Sequence, residues 1–332
     1  MLTRRKEIEE NLTVTSSCCL WSFRLKEVNL LIGFTPYQSL FAESVLLKIP
    51  GVSYCYFTKR YPRKVIDYRR VAYTNSKLLS FFIFVIWVHW LDYKKVKVNL
   101  YVPHSASLLT NYLVFSGKFN SVNIYEEGVA NYHDAYRNSW DIGFLKRVAS
   151  ILFMIPYRKF SGHITGSNEM VFGSCYASRP DLVVNKDRFK AIVQCNVKVE
   201  ARVRSRDPRK ILFLDQPILT AKFSKDVLVR NWLDSLSKKD FVYIKTHHDT
   251  EGRLGNLLFL DSLDDKMPVE LLMEYRDFGR VVSFFSSGLI NLKLLYPDIL
   301  CQCIDVPGVT FSVDGRKLSV PEFMMKFGIT SV

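Results

Sequence analysis

The sequence predicts an α/β protein with two domains, each built on a parallel β-sheet. Short apolar runs typical of strands alternate with helical segments along most of the 332 residues, and this alternation is typical of parallel sheets. A charged stretch, KVEARVRSRDPRK at 198–210, interrupts the apolar pattern, and a second series of strands follows it. The length of the chain also favours about two domains.

The first domain is predicted over 28–197, after an N-terminal extension at 1–27, and the second over 210–332, after a linker at 198–209. Strands of the first domain are predicted at VNLLIGF (28–34), KVNLYVPH (97–104), SVNIYEEG (121–128) and GHITGS (162–167). Strands of the second are predicted at ILFLDQP (211–217), DFVYIKTHH (240–248), NLLFLDS (256–262), RVVSFFSSG (280–288) and DILCQCIDV (298–306). Two Rossmann-like halves joined by a basic linker are typical of the GT-B architecture, in which a nucleotide sugar binds in the cleft between the domains.

Charge and cysteine content limit the partners and the compartment. The net charge of +14 and the sequence pI near 9.4 favour an anionic partner: a nucleotide sugar, an acidic glycan, a membrane surface or a nucleic acid. Seven cysteines without a CxxC spacing indicate neither a disulfide framework nor a zinc site, which favours a reducing, cytoplasmic location. Because EIEENLTVTSS near the N-terminus is polar, a cleaved secretory signal is not expected.

One apolar segment imitates a membrane span. LLSFFIFVIWVHWL, at 78–91, has fourteen residues, whereas roughly 20 are needed to cross a bilayer. Because the segment is apolar on all sides, we expect a helix buried inside a layered domain.

A second segment, FLKRVASILFMIPYRKF at 144–160, is predicted to be an amphipathic helix. A basic helix of this kind can lie on an anionic membrane. An ordinary helix packed on a sheet fits the same pattern, and both interpretations stay open. The apolar face comprises Phe144, Leu145, Val148, Ile151, Leu152 and Ile155, and the surrounding cations are Lys146, Arg147, Arg158 and Lys159.

Two adjacent carboxylates, Glu126 and Glu127, stand at the end of the predicted strand at 121–128. In open parallel sheets ligands bind outside the carboxyl ends of the strands, so this pair and the following Gly128 lie where a site is expected. A solvated turn would explain the pair without any function. The functional alternative is a general base whose pKa is raised by partial burial and by the neighbouring like charge.

Other polar residues follow predicted strands in the same way. Thr35 takes an N-cap position before Pro36, at the start of a helix that also contains Gln38. The start of a helix can bind phosphate, although capping and surface roles explain each residue when it is taken singly. The second half places three groups at such ends: Lys245 with His247 and His248, Glu270 after Pro268, and the pair Ser286 and Ser287.

The order of these motifs resembles that of the bacterial sialyltransferases. EEG at 126–128, KTHH at 245–248 and SS at 286–287 correspond to the acidic-pair-glycine, HP and S-S/T motifs of those enzymes, with MPVE at 267–270 between the last two. TPYQ at 35–38 and LDQP at 214–217 resemble stretches of the lipooligosaccharide sialyltransferases, glycosyltransferase family 52, and of the related polysialyltransferases. His248 departs from the pattern, because the family has proline there.

The resemblance implies an inverting transfer of sialic acid from CMP-sialic acid to a terminal sugar of a bacterial surface glycan such as lipooligosaccharide or capsule. Glu126 would be the base for the acceptor hydroxyl, and His247 would stabilise the departing phosphate. No metal or other cofactor is expected, because no DxD motif occurs. CMP would be held by Lys245, Glu270, Ser286 and Ser287, with Glu127 and Gly128 in support and Thr35 and Gln38 near the cleft.

Other functions are compatible with the same residues. A different nucleotide-sugar donor on the same fold is the nearest alternative, followed by a non-catalytic anion-binding protein. Nucleic-acid binding is not expected, because the basic residues are dispersed and no recognised reading module is present. The expected partners are a nucleotide-sugar donor and a glycan acceptor, while peripheral contact with the inner face of the cell membrane and a homodimer stay open.

Overall fold

The computed structural model of the protein describes residues 27–57, 69–70, 77–197, 203, 205–216, 225–246, 258–260 and 267–332. Two parallel β-sheets with helices between their strands form the framework of this part of the chain. The predicted α/β class is therefore confirmed. The arrangement as two domains facing a cleft, and the domain boundaries, stay predictions.

The described secondary structure comprises strands, helices and three short 3-10 turns. The strands are β1 Glu27–Gly33, β2 Ser53–Phe57, β3 Arg69–Arg70, β4 Lys97–Val102, β5 Ser121–Tyr125, β6 Tyr136–Trp140, β7 Phe160–His163, β8 Gly166–Ser167, β9 Phe172–Ala177, β10 Phe189–Gln194, β11 Asp207–Leu214, β12 Phe241–Lys245, β13 Leu258–Phe259, β14 Phe278–Ser283, β15 Leu300–Cys303, β16 Thr310–Val313, β17 Arg316–Ser319 and β18 Thr330–Ser331. The helices are α1 Pro36–Leu46, α2 Lys77–Tyr93, α3 Leu108–Phe115, α4 Phe144–Leu152, α5 Lys225–Asp234, α6 Val269–Tyr275, α7 Ser287–Leu295 and α8 Val320–Met325. The 3-10 turns are Val129–Asn131, Pro180–Leu182 and Lys186–Arg188.

In each large sheet, the strand that precedes candidate site residues lies near the middle: β5 in the first sheet and β14 in the second. The first sheet has the order β10-β9-β5-β4-β1-β2-β3, and its neighbouring strands are parallel. The second has the order β13-β12-β11-β14-β15-β18, also parallel. Parallel neighbours need a crossover connection, and so the chain after β5 or β14 leaves the sheet at its carboxyl edge.

The predicted strands lie where they were expected to within a few residues at their ends, but one predicted strand and the predicted linker differ from the structure. The stretch at 162–167 is not a strand of the parallel sheet, because β7 and β8 pair antiparallel with each other and β7 with β6 in a small separate sheet. The ring of His163 closes the turn between them by accepting the backbone N–H of Thr165 at Nδ1, 3.1 Å away. In the second half, β11 begins already at Asp207, inside the predicted linker.

The apolar segment at 78–91 is helical, but the prediction that it is buried on all sides is wrong. Phe84 of α2 packs on Tyr56 of β2 with ring centroids 4.2 Å apart, and Trp87 packs on Tyr54 at 5.0 Å. The sheet therefore covers only one face of the helix. The large apolar side chains of the segment that remain exposed are Leu79, Phe82, Ile83 and Ile86.

The segment at 144–160 is helical only over α4, which ends at Leu152. Met154 has φ +52°, and the chain then folds back, with the hydroxyl of Ser150 donating to the carbonyl of Ile155 at 2.8 Å. Ile155 is buried, whereas Phe144 and Leu145 are 77% and 82% exposed. The interpretation of α4 as an ordinary helix packed on a sheet is therefore wrong. No helix among the described residues is long and apolar enough to cross a membrane.

Candidate active site

The carboxyl end of β5 separates its two carboxylates into different environments. Successive side chains of a strand point to opposite sides of the sheet, and this alternation continues past Tyr125. Glu126 is completely buried, whereas the side chain of Glu127 is 26% exposed. The pair is therefore not a simple solvated turn.

Glu126 is held by three hydrogen bonds. Its Oε1 accepts from the Tyr37 hydroxyl at 2.9 Å, and its Oε2 accepts from the Tyr132 hydroxyl and the Ser178 N–H, both at 2.6 Å. Burial raises the pKa of Glu126, and it outweighs these hydrogen bonds, which lower the pKa. We expected partial burial and repulsion from Glu127, but burial is complete and is the largest cause of the rise. Complete burial and these three bonds therefore hold the Glu126 carboxylate inside the protein.

Glu127 lies beside His104, which was not among the predicted site residues. Its Oε1 is 3.6 Å from Nε2 of His104, the residue that follows β4 and Pro103. Nδ1 of His104 accepts from the N–H of Ala106 at 3.1 Å, which leaves the proton of the neutral ring on Nε2. Among the described residues, Oε2 of Glu127 is buried without a hydrogen-bond partner. A carboxylate with one unsatisfied oxygen is suited to accept a proton.

The turn that follows the two glutamates touches the start of α7. Gly128 has φ +123°, a conformation that favours glycine, and a Cβ there would lie 2.6 Å from the Ser287 hydroxyl oxygen. The N–H of Val129 donates to that same oxygen at 3.1 Å. The acidic turn of the first sheet and the serine pair of the second are thereby brought into direct contact.

The serine pair both caps α7 and keeps hydrogen-bond donors. The Ser286 hydroxyl accepts from the N–H of Gly288 at 3.2 Å, as the sequence predicts for an N-cap. The Ser287 hydroxyl accepts from Val129. A serine hydroxyl that accepts one bond still has its own proton to donate, and a helix start carries a partial positive charge. The capping role is therefore compatible with binding an anion.

Glu270 joins the same group from the first turn of α6. It is buried, its Oε1 accepts from the Asn291 amide at 2.8 Å, and burial raises its pKa while Asn291 and the charge of Lys245 lower it. The pKa of Tyr37 is also raised, first by burial and then by the charge of Glu126, with a smaller effect from Glu270. Electrostatic interactions therefore link residues from both halves of the chain. Lys245 acts on Glu270, and Glu270 and Glu126 both act on Tyr37. The Glu270 carboxyl is enclosed, and its role in holding CMP stays a prediction.

The predicted N-cap at Thr35 is confirmed. Its hydroxyl accepts from the N–H of Gln38 at 3.1 Å, and Oε1 of Gln38 accepts from the N–H of Phe34 at 2.8 Å. Gln38 is buried and its side chain takes part in this capping box, while the position of Thr35 and Gln38 near the cleft stays a prediction. The box fixes the start of α1 and places Tyr37 against Glu126.

The predicted acid lies outside the described part of the chain, since neither His247 nor His248 is described. Both the role of His247 and the effect of His248 in place of the family proline stay predictions. Within the described ranges, no group of three histidine, cysteine or acidic side chains is arranged to hold a metal ion. Independence from metal also stays a prediction.

A cavity of about 490 Å³ borders this network at Tyr132, whose hydroxyl binds Glu126. Glu126, Glu127 and Ser287 do not line it, so the strand ends and not this cavity define the candidate site. Its polar lining comes from Tyr132, Tyr136, Asp181, Asn185, Lys186, Asp187, Asp314 and Lys326.

Three residues of the candidate site were not predicted from the sequence: His104, Tyr37 and Tyr132. His104 ends the predicted strand KVNLYVPH, so the rule that singled out Glu126 also applies to it. Tyr37 lies inside the TPYQ stretch, but nothing in the spacing indicates that its hydroxyl reaches Glu126, 89 positions along the chain. Tyr132 gives no signal beyond its closeness to the acidic pair.

The chain is similar to several solved structures, one of which is a glycotransferase. The crystal structure of the glycotransferase of kitacinnamycin is similar to this chain with a TM-score of 0.45 and 10% sequence identity, over 93% of this chain and 87% of that chain. No protein-family model and no curated protein matches the sequence. A likeness at this level defines neither a family nor an activity.

Proposed function

We propose that the protein is an inverting sialyltransferase that transfers sialic acid from CMP-sialic acid to a terminal sugar of a bacterial surface glycan, such as lipooligosaccharide or capsule. The supporting observation is the contact between the acidic turn and the start of α7, made by the 3.1 Å bond from Val129 to Ser287. In this proposal the contact keeps a carboxylate that takes a proton close to a helix start that binds phosphate. Transfer from a nucleotide sugar uses both. The choice of sialic acid rests on the resemblance of the motifs.

The base in this proposal is Glu127, with Glu126 as a positioning residue. The acceptor hydroxyl attacks the anomeric carbon of sialic acid, and the bond from that carbon to the phosphate oxygen of CMP breaks with its electron pair. The hydroxyl proton goes to the Glu127 carboxylate, whose Oε2 has no partner among the described residues. Glu126 instead holds Tyr37, Tyr132 and Ser178.

The departing CMP is stabilised from the second sheet. The hydroxyls of Ser286 and Ser287 donate to its phosphate at the positive end of α7. Lys245, whose charge already acts on Glu270, offsets the phosphate charge, and His247 donates a proton or a hydrogen bond.

The donor is tested by incubating the protein with CMP-sialic acid and, in parallel, with UDP- and GDP-linked sugars, and by measuring release of the free nucleotide. We expect release of CMP alone. Release from another donor only would make the protein a different glycosyltransferase, the nearest alternative. Binding of nucleotide without release from any donor, with galactose-ended acceptors present, would make it a non-catalytic anion-binding protein.

The phosphate site is tested with Ser286→Ala combined with Ser287→Ala. Hydrogen bonds to a charged group contribute about 1.5–3 kcal/mol each, so calorimetry should show CMP affinity reduced by at least about tenfold. Ser319→Ala is the matched control, because Ser319 caps α8 in the same way and does not contact the acidic turn. Unchanged CMP affinity in the double variant would remove the phosphate role from α7.

A further inference from the structure

Helices α2 and α4 leave a large apolar surface uncovered. The exposed fractions of its side chains run from 39% for Phe82 to 83% for Met154. Exposed apolar residues scattered singly are ordinary, but a contiguous set marks a surface that contacts a partner or a membrane. We call this set the apolar patch: Leu79, Phe82, Ile83 and Ile86 of α2, and Phe144, Leu145, Val148, Ile151, Leu152 and Met154 of α4 and the residues after it.

The two helices form one surface because Phe153 joins them. Its ring packs edge-on against Phe81 at 5.7 Å and against Phe82 at 5.3 Å between centroids. Phe153 follows the last residue of α4, and Phe82 belongs to the exposed face of α2. The apolar patch is therefore continuous from one helix to the other.

Cations surround the part of the patch formed by α4. Lys146 and Arg158 are exposed and form no ion pair with another described residue. Arg147 and Lys159 both pair with Asp141, so the four cations exceed the nearby acidic charge. These two also line a recess of about 540 Å³ together with Ile151 and Met154 of the apolar patch.

We propose that the apolar patch docks on an anionic lipid bilayer, with α4 and the exposed face of α2 lying in the boundary between headgroups and acyl chains. The charge pattern selects this occupant. Apolar side chains enter the acyl region while the cations around them meet anionic headgroups. A second copy would bring the same cations together, which is unfavourable in a chain of net charge +14. The proposal does not depend on the enzymatic activity.

Vesicle sedimentation tests the docking without any substrate. The full chain is mixed with vesicles of phosphatidylcholine, or of phosphatidylcholine with about 30% phosphatidylglycerol. We expect sedimentation with the anionic vesicles and at least about tenfold weaker binding to neutral ones, because the electrostatic attraction is lost. Equal binding to both compositions would overturn the electrostatic part of the proposal.

Two pairs of variants separate the apolar and charged contributions. Leu145→Gln with Ile151→Gln should weaken binding to anionic vesicles by at least about tenfold, as should Lys146→Glu with Arg158→Glu. The matched controls are Val227→Gln with Met325→Gln, which alter exposed apolar residues of α5 and α8, and Lys190→Glu with Lys238→Glu, which change the net charge equally. The controls should bind like the unchanged protein.

Three results would overturn the proposal. The first is that the patch variants bind vesicles as well as the controls do. The second is that the protein does not sediment with either vesicle and is a dimer that the Gln variants dissociate, which would make the patch an interface between copies. The third is that the protein is monomeric and stays in solution with both vesicles. Because the altered side chains are exposed, unchanged thermal unfolding confirms that the variants are folded.

Discussion

At the scale of single residues, two neighbouring glutamates differ in burial and in hydrogen bonding because β5 ends between two environments. Glu126 turns into the core, where two tyrosine hydroxyls and one N–H bind it. Glu127 keeps contact with solvent and with His104. The buried, fully bonded carboxyl of Glu126 has a raised pKa, whereas Oε2 of Glu127 is buried without a hydrogen-bond partner among the described residues, and the proposed division of roles between them rests on this difference.

The first prediction separates the two glutamates by their amides. Glu127→Gln should lower turnover by roughly 100-fold or more, because an amide cannot take the acceptor proton, and should leave CMP affinity unchanged. Glu126→Gln should keep turnover within about tenfold, because a glutamine can accept from Tyr132 and Ser178 and donate toward Tyr37. Steady-state rates at saturating CMP-sialic acid give the comparison. The opposite ranking of the two variants would return the base to Glu126.

The second prediction concerns His163, which is buried and neutral. Its Nε2 donates to the carbonyl of His133 at 2.8 Å, and its Nδ1 accepts from the Thr165 hydroxyl at 2.7 Å. Burial lowers the pKa of His163 to about 4. Between about pH 4 and the ordinary histidine pKa of about 6.5, the unfolded chain binds a proton that the folded chain does not. Stability therefore rises with pH across this window, and His163 alone contributes about 3 kcal/mol to the change.

His163→Gln isolates this contribution, because every other titrating group is common to both proteins. The free energy of unfolding, measured in urea at pH 7 and pH 4, should favour the unchanged protein more strongly at pH 7 than at pH 4. The difference between the two pH values should be about 3 kcal/mol. A difference that does not vary with pH would mean that His163 has the same pKa in the folded and the unfolded protein.

At the scale of elements, the turn after β5 fits α7 only because it contains Gly128. The third prediction is that Gly128→Ala lowers both stability and turnover. The positive φ costs roughly 1–3 kcal/mol for a residue with a Cβ, and the new methyl group would overlap the Ser287 hydroxyl, 2.6 Å away. Thermal unfolding and CMP release measure the two effects.

Gly308→Ala is the matched control for that prediction. Gly308 has φ +83°, but nothing lies within 4 Å of its added Cβ. It should lose stability through the backbone alone and keep its turnover. If both alanine variants lose turnover equally, the contact between the acidic turn and α7 does not matter for the reaction.

The sequence predicts the elements that depend on neighbouring residues, and it does not predict features that depend on residues distant along the chain. The strand predicted at 121–128 and the N-cap at Thr35 follow from local apolar runs and capping chemistry, and the structure has both, with the strand ending at Tyr125. The exposure of one face of α2 does not follow, because a helix that is apolar all round gives no signal of which neighbours cover it. The antiparallel pairing at 160–167 depends on β6, and the sequence of β6 has no apolar pattern that would predict a strand.

At the scale of the whole molecule, residues of the loop after β5 contact the C-terminal hairpin of β16 and β17. Asp134 accepts from the Ser312 hydroxyl at 2.8 Å and from the N–H of Gly315 at 3.0 Å. Tyr132 packs on Phe327 with centroids 5.2 Å apart. These partners lie about 180 positions from each other along the chain, so no local pattern could reveal them, although they border the network around Glu126.

The apolar patch is linked to the candidate site through the small sheet. Helix α4 connects β6 to β7, and the turn after β7 is fixed because the carbonyl of Ile164 accepts from both the N–H and the hydroxyl of Ser105, each at 2.9 Å. Ser105 adjoins His104, the neighbour of Glu127. A bilayer bound at α4 would therefore be connected to the proposed base by a short run of ordered chain, which fits an acceptor glycan that is anchored in lipid.

The fourth prediction is that Asp134→Ala loosens the C-terminal hairpin from the rest of the molecule. Burial raises the pKa of Asp134, but the bonds from Gly315, Ser312 and Asp314 outweigh it and lower the pKa below its ordinary value, so the carboxylate stays charged at neutral pH. Hydrogen bonds to a charged group contribute about 1.5–3 kcal/mol, which corresponds to at least about tenfold faster amide exchange at 310–319. Hydrogen exchange with mass spectrometry measures that rate.

The control for this variant is Asp234→Ala, which removes the same charge from an exposed site on α5 and should leave exchange at 310–319 unchanged. The pKa of Asp134 is lowered in the folded protein. Its hydrogen bonds are therefore complete above the pKa near 3.9 of an unfolded aspartate, and they weaken as the pH falls through the lower pKa of the folded protein. Acid should therefore speed exchange of the hairpin in the unchanged protein, relative to its intrinsic rate, and have little further effect on Asp134→Ala. If hairpin exchange in Asp134→Ala matches that in Asp234→Ala, other contacts hold the hairpin in place, such as the rings of Phe311 and His133, 5.3 Å apart.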